Sequence, residues 1–239
     1  MAVMKRYRQV AGFILAGGAS SRMGRDKGLL DFEGDPLIVH TARLIEPLVA
    51  QVTVVGSPRR YAKLGLRVIA DDVQAQSRPD KSGHGPLAGI VTALDATRSP
   101  WNLILACDMP YLSAEWLGWV LSRALRSRAD AVIPRTERGL EPLAAVYRQE
   151  CGAKLAAVLA RGVRKVSEAI AELRVEHVYP REWSRIDPRG LVLKNMNAPG
   201  DYEEALNWWA TARVGERAHL TKPPRTPTRK QRSVPRRRK

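Results

Sequence analysis

The sequence predicts a layered α/β fold, a three-layer sandwich in which helices cover both faces of a mostly parallel central sheet. Three observations carry this. Five short runs, residues 10–15 (VAGFIL), 52–55 (VTVV), 67–69 (RVI), 103–106 (LILA) and 131–133 (AVI), are too short for helices and nearly continuous in apolar character, as strands buried on both faces are. Segments with helical spacing of apolar residues fall between them, and that alternation is the mark of a layered sheet. The chain is 239 residues long, 44% hydrophobic and 27% charged, close to the globular average, so it has ample length to bury a core and is neither wholly disordered nor a membrane protein.

In chain order, Lys5, Arg6 and Arg8 precede the run 10–16 and loosely imitate a secretory leader. The run is short, leads straight into Arg22, Arg25 and Lys27, and no stretch reaches the roughly 18 apolar residues of a membrane span, so a cytoplasmic, non-membrane protein is expected. A helix over 37–48 starts beside Pro36, whose fixed φ suits a first turn. Strand 52–55, strand 67–69 and helix 87–96 follow, then strand 103–106 and a helix over 114–126 with Ser113 as its N-cap. Beyond strand 131–133 the pattern loosens into a strand over 142–147, a helix over 149–160, a strand over 175–178 and a final helix over 201–212. No internal repeat is visible.

The net charge of +16 is unevenly placed. Residues 217–239 hold ten Lys or Arg and no acid; removing those ten from 40 leaves 30 basic against 24 acidic residues, so the body carries only +6. Pro223, Pro224, Pro227 and Pro235 are scattered through this stretch with almost nothing apolar. One folded domain over 1–213 and a disordered basic tail over 214–239 are therefore expected. The tail lacks aromatic residues to stack on bases, which leaves only weak, salt-sensitive attraction to nucleic acid. Cys107 and Cys151 sit in no CxxC or His-rich cluster, against structural zinc and for a reducing compartment.

The most informative segment follows the first strand: Leu15-Ala16-Gly17-Gly18-Ala19-Ser20-Ser21-Arg22-Met23-Gly24-Arg25-Asp26-Lys27. Adjacent glycines let the backbone approach a ligand and turn its amides inward, a geometry suited to phosphate oxygens. Arg22 and Lys27 add positive charge, and the whole describes a pocket for a polyphosphate. The spacings GxxxxGK[ST] and GxGxxG are both absent, which removes support for a P-loop hydrolase and for an ordinary dinucleotide-binding oxidoreductase. Asp108 directly follows the run 103–106, at the carboxyl end of a strand, where open sheets place ligands. A hard oxygen there suits Mg²⁺, and the same residue could cap the next helix. His40, His84, His177 and His219 form no evident base or triad.

The segment resembles the LAGGxSxRMGxDK signature of nucleotidyltransferases, and specifically of the molybdenum cofactor guanylyltransferases, at every specified position. Gly85-Pro86-Leu87-Ala88-Gly89 resembles that family's GPLAG turn, Cys107-Asp108-Met109-Pro110-Tyr111 its CDxP segment, and Asn195-Met196-Asn197-Ala198-Pro199 its NxNTP segment with Ala198 in place of Thr. The resemblance spans about residues 10–209. It implies a Rossmann-like sandwich of the nucleotide-diphospho-sugar transferase type and transfer of GMP from GTP to the terminal phosphate of Mo-molybdopterin, with release of pyrophosphate. A related transfer of CMP, or transfer to another phosphorylated acceptor, is the alternative.

On this resemblance Lys27 and Arg22 face the phosphates, while Leu15, Ala16, Gly17, Gly18 and Gly85 line the nucleotide. Asp108 holds Mg²⁺ as the sole expected cofactor. Asp71, after the run 67–69, matches a nucleotide-binding Asp of the family, on base or ribose. Arg164 and Lys165, with Arg161 beside them, fall where the family carries basic residues for the acceptor, and Asn195 and Asn197 complete the phosphate and metal environment. Where the family often has a nucleotide-contacting Asn after the second strand, this chain has Gly56-Ser57-Pro58-Arg59. Partner proteins are expected to be the enzyme that delivers molybdopterin or the apoenzyme that receives the product.

Overall fold

The computed structural model describes residues 5–16, 26–32, 34–71 and 85–220, with side chains in the last helix to Thr211. The elements are β1 (Val10–Ala16), a 3₁₀ turn (Lys27–Leu29), β2 (Asp31–Phe32), β3 (Asp35–Pro36), α1 (Leu37–Ile45), β4 (Val52–Gly56), α2 (Pro58–Tyr61) and β5 (Val68–Ile69). They continue with α3 (Gly85–Asp95), β6 (Trp101–Ala106), α4 (Ala114–Ala124), β7 (Ala131–Thr136), β8 (Gly139–Leu140), β9 (Ala144–Arg148), α5 (Cys151–Ala160) and α6 (Val166–Ile170). The last three are β10 (Val175–Val178), α7 (Pro180–Trp183) and α8 (Pro199–Leu220).

The sheet runs β10-β7-β9-β6-β1-β4-β5, with β8 paired to β7. β1 pairs in parallel with β4 and β6, β4 with β5, and β10 with β7. β9 alone among these main strands runs the other way, antiparallel to both β6 and β7. The leader-like run 10–16 is thus an interior strand, between β6 and β4 and buried on both faces. Its alternate residues feed two cores. Val10, Ile14 and Ala16 pack with α1, α4 and Trp183, whereas Ala11, Phe13 and Leu15 pack with α3, α5 and α6. Those are the three layers.

Each helix shows why it lies where it does. α1 buries Leu37, Ile38, Thr41, Ala42 and Ile45, one stripe at helical spacing. α4 begins as expected at Ser113, whose hydroxyl accepts the Trp116 amide at 3.2 Å, and buries Trp116, Leu117, Val120 and Leu121 completely, each contributing about 1.5–3 kcal/mol. α3 buries every residue from Leu87 to Leu94 because α5 covers the side that the sheet leaves open, close enough that a Cβ on Gly152 would lie 3.2 Å from the Leu94 Cβ. A third cluster, Phe32, Leu37, Tyr111, Met196 and Ala205, gathers under α8. α8 starts at Pro199 and runs past the expected end at residue 212 to Leu220. Residues 221–239, most of the expected tail, lie outside the described residues.

Candidate active site

β1 and β6 are adjacent and parallel, so their carboxyl ends deliver Ala16 and Asp108 to one edge of the sheet. Two backbone bonds stitch the segments that follow. The Cys107 amide donates to Leu15 O at 3.3 Å, and the Met196 amide donates to Asp108 O at 2.9 Å. Burial, followed by the neighbouring Asp108 carboxylate, pushes the Cys107 thiol up to about 12, so it stays a neutral packing group.

Lys27 closes the arrangement. Its ammonium donates to Asp108 Oδ2 at 2.8 Å, Met196 O at 2.5 Å and Asn197 Oδ1 at 3.1 Å. Three oxygens from two segments, 81 to 170 residues away in sequence, converge on one cation. The Lys27 and Asp108 side chains are 19% and 18% exposed, so the pair stands at a wet rim rather than in the core. The Asn195 amide oxygen, on the same segment as Asn197, is buried with no hydrogen-bond partner.

Asp26, beside Lys27, is held by four bonds. Its oxygens accept from the Gly28 amide at 3.0 Å, from the Tyr61 hydroxyl at 2.9 and 2.8 Å, and from the Arg60 guanidinium at 3.1 Å. Asn197 is held from behind by Asp201, whose Oδ2 accepts the Asn197 amide at 2.8 Å and the Ala198 amide at 2.9 Å. Those two amides keep the Asp201 carboxyl below its usual range. Ala198 offers no capping hydroxyl, and the carboxylate three residues on does the capping instead.

Gly56 explains the departure at the end of β4. A Cβ there would lie 2.2 Å from Ala16 O and 3.0 Å from the Tyr61 ring, so no side chain fits. Gly85 opens α3 at φ +71°, and a Cβ on it would meet the Arg164 carbonyl at 3.8 Å. The GPLAG turn and the basic loop therefore touch. Within that loop Arg164 donates to Leu159 O at 2.8 Å and Val163 O at 3.3 Å, Arg161 pairs with Glu172, and Lys165 is 3.8 Å from Glu168. Asp71 follows β5 and accepts from Thr92 Oγ1 of α3 at 2.9 Å. Lys27, Asp108 and Asn197 are thus drawn together, with Leu15, Ala16 and Asn195 beside them. Among the described residues Gly85, Arg164 and Lys165 take no part in those contacts, and Asp71 stands against α3 through Thr92. Gly17, Gly18, Arg22 and His84 lie outside the described residues. Sequence reading missed Tyr61, Arg60 and Asp201; only Asp201, an acid in a helix's first turn, left a local signal.

The donor set fits a hard divalent cation. No group of three or more His, Cys, Asp or Glu able to hold a metal occurs among the described residues. The convergence of one carboxylate, one amide oxygen and one backbone carbonyl on an ammonium is the oxygen-only, sparsely charged set that Mg²⁺ accepts alongside phosphates and water.

A model of the MobA-like NTP transferase domain matches residues 12–176. A protein of Synechococcus elongatus, named as a probable molybdenum cofactor guanylyltransferase, is 34% identical over 199 residues, covering 81% of this chain and 96% of its own. One of the same name from Chloroflexus aggregans is 30% identical over 218 residues, covering 88% and 100%. Among solved structures, molybdopterin-guanine dinucleotide biosynthesis protein A from Archaeoglobus fulgidus superposes with a TM-score of 0.71 at 24% identity over 84% of this chain and 99% of its own. CMP:2-keto-3-deoxy-manno-octonic acid synthetase superposes with a TM-score of 0.60 at 13% identity over 85% and 98%; both speak for the fold. No helix among the described residues is long and apolar enough to cross a membrane.

Proposed function

We infer the function from the premise that the chain belongs to the MobA-like NTP transferase family, and that it is a nucleotidyltransferase with the nucleotide-diphospho-sugar transferase fold. It is a molybdenum cofactor guanylyltransferase, moving GMP from GTP to the terminal phosphate of Mo-molybdopterin and releasing pyrophosphate. The observation that carries the site assignment is the Lys27 ammonium bridging Asp108 and Asn197, which joins three signature segments at one point.

In the reaction an oxygen of the acceptor phosphate forms a bond to the α-phosphorus of GTP. The bond from that phosphorus to the α,β-bridging oxygen breaks, and the electron pair leaves on pyrophosphate. A phosphate monoester is largely ionised near neutral pH, with its second pKa about 6, so alignment and charge relief matter more than a base. Lys27 exchanges its protein oxygens for the β- and γ-phosphate oxygens, a short move for a four-carbon stem. Asp108 and Asn197 are the side chains that would hold Mg²⁺, which when bound would offset charge developing on the leaving group. Arg22 is the second cation on the phosphates, and the amides of Leu15 to Gly18 and Gly85 face the nucleotide. Asp71 reads the nucleoside, and Arg164 and Lys165 serve the acceptor once released from their internal partners.

The test is pyrophosphate release by purified protein from GTP and Mg²⁺, with and without molybdopterin, against CTP and ATP. Release that depends on molybdopterin and prefers GTP is expected; indifference to molybdopterin, or preference for CTP, overturns the reading. Lys27→Ala and Asp108→Ala should each lower turnover by about 10²- to 10³-fold while leaving the melting temperature near wild type. Wild-type turnover in either variant would remove that residue from the mechanism.

A further inference from the structure

We propose that Tyr61 is the positioning residue of Lys27: its hydroxyl fixes the Asp26 carboxylate, and so the turn from which the ammonium is presented to phosphate. This rests on the phosphate-binding role given to Lys27 above.

The Tyr61 ring is 1% exposed and lies between two glycines. A Cβ on Gly28 would meet one ring edge at 3.6 Å, and a Cβ on Gly56 would meet the other at 3.0 Å. One glycine belongs to the Lys27 turn and the other ends β4, so the ring spans from the sheet to the turn; at Gly56 no side chain fits beside it, whereas a Cβ on Gly28 would sit in ordinary contact. Its hydroxyl then reaches both oxygens of Asp26 at 2.9 and 2.8 Å. Asp26 in turn N-caps the 3₁₀ turn by accepting the Gly28 amide. A carboxylate bonded this way cannot rotate freely, and Lys27, the next residue, inherits a fixed backbone direction. Arg60 adds a more exposed contact to the same carboxylate. Burial, reinforced by the Asp26 carboxylate, raises the Tyr61 phenol far above neutrality, so it remains a donor at every working pH. Tyr61 touches none of the reacting atoms; it acts through Asp26 and Lys27.

The experiment is a double-mutant cycle of Tyr61→Phe and Lys27→Met, read by GTP and GMP affinity and by turnover. Phenylalanine keeps the ring between the glycines and removes only the hydroxyl. Tyr61→Phe should weaken GTP binding by about tenfold, the cost of one charge-assisted hydrogen bond, yet leave GMP binding within about twofold because GMP lacks the phosphates that Lys27 meets. In the Lys27→Met background the same change should cost less than about twofold. Equal weakening of GTP and GMP, equal cost in both backgrounds, or no effect would each overturn the proposal and leave Tyr61 a packing residue. If Tyr61→Phe melts below assay temperature, Asp26→Asn takes its place in the cycle, and absence of coupling to Lys27 is again the overturning result. Failure of wild-type protein to release pyrophosphate from GTP would instead count against the guanylyltransferase reading.

Discussion

Gly56 packs directly against the carboxyl end of β1. Its Cα packs so closely on the Ala16 carbonyl that an added methyl must displace backbone rather than a side chain. Gly56→Ala is therefore expected to cost about 1–3 kcal/mol of stability and to weaken GTP binding at the same time. Thermal melting with and without GTP checks this, and an unchanged melting temperature would show that the strand end yields freely. The sequence displays Gly56 only as a missing Asn. Why no side chain stands there depends on Ala16, forty residues earlier, and on Tyr61, five residues later. Lys27 and Asp108 were both legible as site residues from their segments, but their 2.8 Å contact was not, because nothing local encodes a meeting across 81 residues.

Among the elements, Asp130 ties three together. It is buried just before β7 and takes Lys154 of α5 at 2.9 Å and Arg174, at the entry to β10, at 2.8 Å. The bonded Arg174 guanidinium is the main cause that holds its carboxyl well below the usual range. A depressed carboxyl stabilises the fold fully above its unfolded value of about 4 and loses that contribution as pH falls toward its folded value. Asp130→Asn should cost about 1–3 kcal/mol at pH 7 in urea unfolding, with the gap to wild type narrowing below about pH 4. A gap independent of pH would place the effect in packing. The five apolar runs all became strands, since burial on both faces leaves a plain signature in composition. The direction of β9 did not show, because apolar patterning is the same read either way along a strand. The short β2–β3 pair, α2, α6 and α7 were also invisible; two to five residues are too few for a period.

Over the whole molecule, α8 braces the sheet edge that carries Asp108 from outside. The Trp209 indole donates to Pro110 O at 2.8 Å, the Tyr202 hydroxyl to Asp31 O, and Glu204 pairs with Lys194 at 2.6 Å, so α8 spans the hairpin, the CDMP segment and the NMN segment. A chain ending at Arg213 keeps all of these residues and sheds the ten basic residues beyond Glu216. We propose that residues 1–213 are the catalytic unit. Such a chain should transfer GMP at wild-type rate while losing salt-sensitive retention on heparin, and lost transfer would make the terminal segment part of the enzyme. The sequence by itself determined the layered α/β class, the burial of the strand over residues 10–16, the family and the four signature segments, because buried strands and ligand-binding loops write local, contiguous patterns. The tertiary structure decided the reversal of β9, the closure of Lys27 on Asp108 and Asn197, the clamp of Tyr61 on Asp26 and the capping of Asn197 by Asp201. Each of these depends on which distant segments a folded sheet brings within hydrogen-bond reach, and a linear pattern holds no measure of that distance.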